Sequence, residues 1–407
     1  MLDLFGSGLL SLVAFLAVIS FVVVIHELGH YAAGRVFGVH AEAFSLGFGP
    51  RLIGWKDHSG TDWRLSAFPV GGFVMFRGDA NAASVPKREA LEQLRAQTAD
   101  ADTILHFKPV WQRAIITAAG PAVNFLLAIA IFTVVGFSQG DYADEFEISA
   151  VAPGSAAEQA GLQPGDQITA LDGRQIVNFN DVVQYVSVRA GQEIEISVDR
   201  GGVPVTLNAT PQRTLRNDGL GGERPMGMLG VEARQVADRE RICCSLWQAP
   251  IYGVATTWEI TAMTGDYLLR LVTGRASLDM VNGPLGIATT AGQVANAAAA
   301  APEPGVAGGE TGIEPAAPSF FERFGRVFMS LLAFAGLLSV AIGLMNLLPI
   351  PLLDGGHLVY YAYEAIAQKP PSVAVQEFAY RAGFLLLIGV LVVATWNDLS
   401  YLRGLFT

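Results

Sequence analysis

The sequence predicts a polytopic α-helical membrane protein with about four transmembrane helices and a β-rich domain inserted outside the membrane. Composition is the first observation behind this fold class, because 51% of the 407 residues are apolar, only 15% are charged, and the mean hydropathy is +0.39. Soluble domains carry about 25% charged residues, so part of this chain is expected to face lipid. The second observation is a set of four long apolar stretches, and the third is a segment of alternating apolar and polar residues between them.

Each of the four apolar stretches is close to or longer than the roughly 20 residues that a helix needs to cross a bilayer. They cover residues 9–33, 114–137, 327–348 and 378–396. The last is the weakest, since Arg381 lies near its start, but a long arginine side chain can reach the headgroups. The sequence therefore predicts four spans.

The distribution of charge predicts how these spans are oriented. Residues 35–113 hold 10 basic residues in a loop of moderate length, whereas the segment before the first span holds none. Basic loops stay on the cytoplasmic side, so both termini and residues 138–326 are expected outside, in a bacterial inner membrane. The outer segment has 13 basic and 23 acidic residues, a net −10 of the chain's −11. This acidic balance excludes nucleic acid as a partner, because phosphate binding needs a basic surface.

The outer segment begins with a predicted small β domain over residues 143–212. Its expected elements are a turn at Pro153–Gly154, a short helix ending at Gly161, a strand over 167–171, a hairpin turn at Asp172–Gly173, a helix over 180–188 and two strands around Gly201–Gly202. Residues 225–233 could add a trailing strand. Amphipathic helices at the outer membrane surface are predicted over residues 236–290, and an Ala/Pro/Gly-rich flexible linker over 291–320.

A metal-binding pattern lies at the end of the first apolar stretch. His26, Glu27 and His30 form HExxH, in which the two histidines share one helical face and can meet a single ion. Glu27 sits beside that face, where a carboxylate can act on a metal-bound water. Polar groups at this position are costly in lipid unless they line a protein cavity and serve a function.

Two histidines leave zinc short of a third protein ligand, and Asp354 is the leading candidate. Pro349 and Pro351 interrupt the backbone after the third span, and irregular backbone at membrane depth is tolerated only against protein or water. The alternative interpretation of Asp354 is a turn residue that caps the next helix. His357 is expected to support the site rather than to close it. Asn124 in the second span is interpreted as a helix–helix contact.

These motifs together resemble the site-2 protease family of zinc intramembrane proteases, peptidase family M50, and most closely its bacterial RseP type. HExxH lies in the first span, NxxPxPxxDGG follows the third, and residues 143–212 resemble a PDZ domain of the bacterial protease type, with APGSxAxxAGLxxGDxI as its most specific run. Residues 45–78 resemble that group's membrane-re-entrant β-hairpin, while AGPAVN (119–124) and NGPLGIA (282–288) match further family signatures. The resemblance covers nearly the whole chain.

The resemblance implies one zinc ion held by His26, His30 and Asp354, with Glu27 as the catalytic acid/base. It also implies a set of residues that hold the substrate strand: Asn346, Pro349, Pro351, Phe68, Gly71, Gly72 and Phe73. Expected substrates are single-span membrane proteins, such as anti-sigma factors and signal-peptide remnants, that an upstream site-1-type protease has already cut outside the membrane. The PDZ-like domain would serve as a peptide-binding groove or as a steric filter.

The predicted organisation follows from the spans and the resemblance. It comprises a first transmembrane helix with HExxH (1–40), a cytoplasmic loop with the membrane-associated hairpin (41–112), a second helix (113–138), the periplasmic PDZ domain (139–235), juxtamembrane helices (236–290), the linker (291–320), a third helix with NxxPxPxxDG (321–360), and a fourth helix with the C-terminus (361–407). Two features depart from the family pattern: a single PDZ domain where two are common, and the Ala/Pro linker.

Two other functions are compatible with parts of the sequence. A membrane-bound zinc protease that cuts outside the bilayer would also carry HExxH. A non-catalytic PDZ scaffold would keep the same domains with a vestigial metal site, although all the chemical groups of the site are intact here.

Overall fold

The computed structural model describes residues 2–78, 100–143, 146–217, 223–235, 240–276, 278, 281–300 and 319–406. Two compact units emerge from the contacts within the chain. The first unit comprises Met1–Thr133, Gly253–Ala262 and Ile287–Val392, and the second comprises Val134–Tyr252, Met263–Gly286 and Val393–Thr407.

The elements follow one another in chain order. The first are helix α1 (Leu2–Val36), strands β1 (Ala41–Lys56) and β2 (Asp62–Phe76), and helix α2 (Val110–Gln139). Next come β3 (Asp141–Ala143), β4 (Phe146–Val151), α3 (Ala156–Ala160), β5 (Gln167–Leu171), β6 (Arg174–Gln175), α4 (Phe179–Ser187), β7 (Ile194–Arg200), β8 (Val203–Ala209), β9 (Gln212–Asn217), β10 (Glu223–Met228), β11 (Val231–Gln235) and β12 (Glu240–Cys243). Helices α5 (Ala249–Val272), α6 (Pro284–Ala299), α7 (Phe320–Leu347), α8 (Asp354–Ala367) and α9 (Val373–Phe406) complete the chain.

Four of the described helices are long and apolar enough to cross a membrane, as the sequence predicts. They are α1, α2, α7 and α9, with spans of Gly8–Val36, Val110–Gln139, Phe320–Leu347 and Val373–Ser400. Large apolar side chains such as Leu385 on α9 stay exposed, which suits a lipid-facing surface rather than a water-facing one. The chain is therefore a multi-pass membrane protein.

Within the segment predicted as a hairpin, β1 and β2 form two long antiparallel strands. Ala43, Phe44, Ser45 and Leu46 each pair with a residue from both ends of β2. The sheet therefore folds over on itself, and repeated register shifts along both strands bend it. Phe76, at the end of β2, is buried against Gly34 of α1, which holds the hairpin on the first helix.

The β domain of the second unit contains the elements that the sequence predicts. Ile194, Ile196 and Val198 on β7 are buried, while the side chains between them are less so, which is the alternation expected of a strand with one face on a core. Asp172 and Gly173 adopt positive φ at the predicted hairpin turn. The trailing strand predicted over residues 225–233 is divided in two: β10 pairs with β9, and β11 pairs with β4. An ion pair between the buried Asp166 and the partly exposed Arg200 braces the edge of this core.

The segment after the β domain differs in part from its prediction. Helix α5 leaves Ile251, Val254 and Trp258 exposed along one side, as an amphipathic helix would. The linker predicted from residue 291 does not begin there, because α6 continues to Ala299. Small side chains explain the error: Ala291 is fully buried against α1, and Gly292 lies against Ser11. Residues 301–318 lie outside the described part.

Candidate metal centre and active site

Three side chains from two elements converge inside the first unit. His26 Nε2 and His30 Nε2 lie 3.2 Å apart, and Asp354 Oδ2 lies 3.3 Å from the first and 3.4 Å from the second. His26 is buried, and the three residues form a group able to hold a metal ion. Residues i and i+4 of α1 supply the two imidazoles, as the HExxH spacing predicts.

The three atoms fit the donor set of zinc. A tetrahedral zinc with bonds of about 2.0–2.2 Å separates its ligand atoms by about 3.3–3.6 Å, close to the spacing observed. His30 Nδ1 lies 2.9 Å from the carbonyl oxygen of Ile116, so it carries the proton and leaves Nε2 with a lone pair. That lone pair faces the carboxylate oxygen of Asp354, so two hydrogen-bond acceptors, His30 Nε2 and Asp354 Oδ2, lie opposite each other. A cation between these two atoms would stabilise the arrangement.

Helix α2 approaches α1 closely at the metal centre because both helices carry a glycine there. A Cβ atom on Gly29 would lie 2.6 Å from the carbonyl oxygen of Ala119, and one on Gly120 would overlap the imidazole of His30. These two glycines bring the backbone of α2 against the HExxH turn. This contact places Ile116 where its carbonyl orients His30.

Gly120→Ala is expected to lower the zinc affinity by at least about 10-fold, because the added methyl group displaces an imidazole that presents its metal-facing nitrogen. Zinc content and affinity of the purified full chain would be measured by chelator competition. Gly389→Ala on α9 is the control, since a Cβ there meets no atom within 4 Å. Unchanged zinc affinity in the Gly120 variant would mean that His30 does not need this close contact.

A tight turn between α7 and α8 carries Asp354 to the histidines. Leu352 adopts a positive φ of 101°, and Leu353 N donates to the carbonyl of Ile350 at 3.0 Å. Gly355 and Gly356 follow, and a side chain on either would strike backbone carbonyls of the preceding residues. The DGG sequence therefore allows the first turn of α8 to fold back against the end of α7, with Asp354 in its first turn.

Glu27 is held by the hairpin rather than by the three converging groups. Its Oε2 accepts a hydrogen bond of 3.0 Å from the backbone N–H of Val74 on β2. Gly72 lies beside it, with its missing Cβ position 3.5 Å from Glu27 Cγ. One carboxylate oxygen is thus fixed, and the carboxylate lies next in sequence to His26.

Comparison with known proteins shows the family of this chain. The model of Peptidase family M50 matches residues 14–303 and 322–390. The chain belongs to peptidase family M50. The Metalloprotease MmpA of Caulobacter vibrioides is 41% identical over 98% of this chain and 99% of its own length. Proteins of Rhizobium meliloti and Agrobacterium fabrum, named as zinc metalloproteases, are 41% and 39% identical over 96% and 97% of this chain, and each is covered over 96% of its length.

Membership of this family and the names of the relatives identify the M50 peptidase as a zinc metalloendopeptidase, with Zn²⁺ as its cofactor. The prediction of the family from the sequence is confirmed. The role of each residue in the site stays a prediction, which the geometry above supports.

The residues predicted to hold the substrate strand are only partly brought to the metal centre of this M50 peptidase. Gly72 reaches Glu27, and Phe73 stacks on Phe48 within the hairpin. Gly71 has a positive φ and packs against the same Phe48 ring. Phe68 is 64% exposed on β2.

The predicted substrate residues around the third span lie next to Asp354 in the chain. Asn346 is half-buried on the last turn of α7, and the structure describes no hydrogen bond from its side chain. Pro349 is exposed in the turn, while Pro351 packs against Gly383 of α9. The roles of Asn346, Pro349 and Pro351 in substrate binding remain predictions.

His357 and Asn124 are the residues whose surroundings the sequence did not reveal. His357 Nε2 lies 3.2 Å from the hydroxyl of Tyr380, so it is outside the three-atom group. Asn124, interpreted as a packing residue, lies with its amide 3.1 Å from His26 Nδ1. The sequence signal for this contact was the position of Asn124 in the family motif AGPAVN, which also contains Gly120. The contacts of Ile116 and Val74 are made by backbone atoms, so the residue types at these positions do not predict them.

Proposed function

We propose that the protein is a zinc-dependent intramembrane endopeptidase that cleaves single-span membrane proteins. The observation that carries this proposal is the position of the metal centre on a membrane-spanning helix. His26 lies ten residues before the end of the span Gly8–Val36. At 1.5 Å per residue this is about 15 Å of helix, so the site lies well inside the span rather than at its end.

Zinc bound by His26, His30 and Asp354 would polarise the scissile carbonyl and make a water molecule acidic enough to serve as the nucleophile near neutral pH. Glu27 would take the proton of the attacking water on its carboxylate, which the hydrogen bond from Val74 N–H to Oε2 holds in place. The same carboxylic acid then gives its proton to the nitrogen of the leaving amine. The hairpin contact keeps the carboxylate in place through both transfers.

The substrate helix must unwind before cleavage, because helical carbonyls are already hydrogen-bonded. The end of β2 lies next to Glu27, with Gly72 and Val74 beside the carboxylate. This position supports the proposal that the unwound substrate strand pairs with the edge of β2. Phe48 and Phe68 leave large apolar surfaces exposed on the hairpin, as expected of an element in contact with lipid. Asn346 would add a hydrogen bond to the strand from the end of α7.

Substrate selection is assigned to the outer segment. The β domain over residues 139–235 would act as the PDZ-like element that admits substrates already cut by an upstream protease, as a groove or as a filter. The proposal assigns that domain and both termini to the periplasm of a bacterium and residues 35–113 to its cytoplasm, because loops rich in basic residues stay on the cytoplasmic side.

Mapping a cut site tests this function. The full chain in liposomes, incubated with a single-span model substrate, is expected to cleave within the apolar run of the substrate, since the site lies inside a span. Mass spectrometry of the two fragments would locate the bond. Cleavage confined to a water-exposed loop would instead support a membrane-bound protease that acts outside the bilayer. Absence of cleavage from a zinc-loaded protein, with trimmed and untrimmed substrates alike, would favour the scaffold.

A further inference from the structure

We propose that Asn124 is a positioning residue that orients His26 for zinc by accepting a hydrogen bond from its Nδ1–H. The proposal rests on the ligand set of the proposed function. It concerns the helix α2, which contributes no ligand of its own but lies against both histidines of α1.

The side chain of Asn124 is completely buried and meets His26 directly. One atom of its terminal amide, placed as Nδ2, lies 3.1 Å from His26 Nδ1. Within the described part of the chain, the other atom, placed as Oδ1, is buried and meets no donor. A buried amide whose polar end touches a metal-binding imidazole is more than a packing contact, because its orientation decides which nitrogen of that imidazole carries the proton.

The two orientations of the amide have opposite consequences for zinc. With Nδ2 as the donor, neutral His26 keeps its proton on Nε2, the atom that faces Asp354 and would be blocked from the metal. Rotation of the amide by 180° exchanges two groups of the same shape and sets Oδ1 against Nδ1. His26 then donates from Nδ1 and turns the lone pair of Nε2 towards the carboxylate, so zinc binding selects this second orientation.

The other histidine of the motif, His30, has an oxygen acceptor next to its Nδ1 in the same way. His30 Nδ1 meets the carbonyl of Ile116, eight residues before Asn124 and on the same helix. Eight residues are about 2.2 turns of a helix, and both acceptors lie on the part of α2 that contacts the histidines of α1. Helix α2 would thus supply one oxygen behind each imidazole, from the backbone for His30 and from a side chain for His26.

Chelator competition on the purified full chain provides the test, with zinc affinity as the readout and thermal unfolding as the check of folding. Asn124→Leu, which keeps the volume but has no acceptor, is expected to weaken zinc binding by about 10–100-fold. Asn124→Asp keeps only acceptor oxygens and is expected to stay within about 3-fold of wild type, a rescue that packing alone does not predict. Asn124→Ala serves as a second variant if the leucine protein does not fold.

Two further variants make the result decisive. Ser339→Ala removes a buried hydrogen bond from Ser339 Oγ to the backbone oxygen of Asn124 but leaves the side-chain amide of Asn124 unchanged. This variant is expected to bind zinc as wild type does. His26→Ala is expected to lose high-affinity zinc. Wild-type affinity in the folded leucine or alanine variant, an aspartate variant as weak as leucine, or an equal loss in Ser339→Ala would each overturn the role of Asn124. Wild-type zinc affinity in His26→Ala would instead overturn the ligand set itself.

Discussion

Glu27→Gln is expected to bind zinc as wild type does and to lose turnover by about 10²–10⁴-fold, the usual contribution of a general acid–base. This factor corresponds to about 3–5 kcal/mol of activation free energy. Glutamine keeps the volume of the side chain, and its amide oxygen can still accept the hydrogen bond from Val74 N–H. It cannot take a proton from water at neutral pH. The expected defect is therefore in kcat, with zinc content and substrate binding nearly unchanged.

Single-turnover cleavage of the model substrate, with zinc measured in the same samples, would check this result. Glu42→Gln is the control, because it removes the same charge from an exposed position on β1. Full activity in Glu27→Gln would exclude the carboxylate as the proton carrier. Loss of zinc in that variant would mean that Glu27 supports the metal centre rather than the reaction.

Asp354→Ala is expected to lose both zinc and activity. Loss of groups that only support a metal ligand costs about 10–100-fold in affinity, so loss of a direct ligand is expected to exceed about 100-fold. Asp354 Oδ2 lies within 3.4 Å of both imidazole nitrogens, and no compensating carboxylate belongs to the group that the structure describes there. Removal would leave two histidines, fewer protein ligands than a catalytic zinc normally has.

Metal analysis of the purified variant would check this expectation, with Asp102→Ala, an exposed aspartate outside the metal group, as the control for lost charge. Asp354→Asn would show whether the helix start tolerates a neutral side chain of the same size. Normal zinc content in folded Asp354→Ala would require another third ligand. His357 would be examined first, although its Nε2 meets Tyr380 in this structure.

The spans, the β domain elements and the histidine pair could all be predicted from the sequence because each depends on local periodicity. A run of apolar residues of the right length predicts α1 or α2 irrespective of its neighbours. Alternation predicts β7, since one face must meet a core. HExxH places two imidazoles on one face of a helix through the helical repeat alone. Asp354 could be predicted only as a candidate, from the shortage of ligands and the interrupted backbone around it, because nothing local relates it to residue 26; the family resemblance then implied its role.

Predictions from the sequence failed where the local pattern is weak and contacts with other parts of the chain decide the structure. The alanine-rich residues 291–299 have too few large side chains to suggest a core, yet they form the end of α6. Their small size is what lets Ala291 be buried completely against α1. The pairing of the first half of β1 with both ends of β2 was likewise not predictable, since strand register depends on long-range contacts.

The sequence by itself determined the class of the protein, its four spans and its family, and it predicted the chemical groups of the metal centre. Only the tertiary structure decided which groups orient them. The carbonyl of Ile116, the amide of Asn124 and the N–H of Val74 reach His30, His26 and Glu27 across distances of 47 to 98 residues in the chain. The groups of Ile116 and Val74 belong to the backbone, which is the same at every residue, so no residue type marks them. The contact of Ile116 with His30 arises where Gly29 and Gly120 allow α1 and α2 to come close, whereas the contact of Val74 with Glu27 comes from the hairpin.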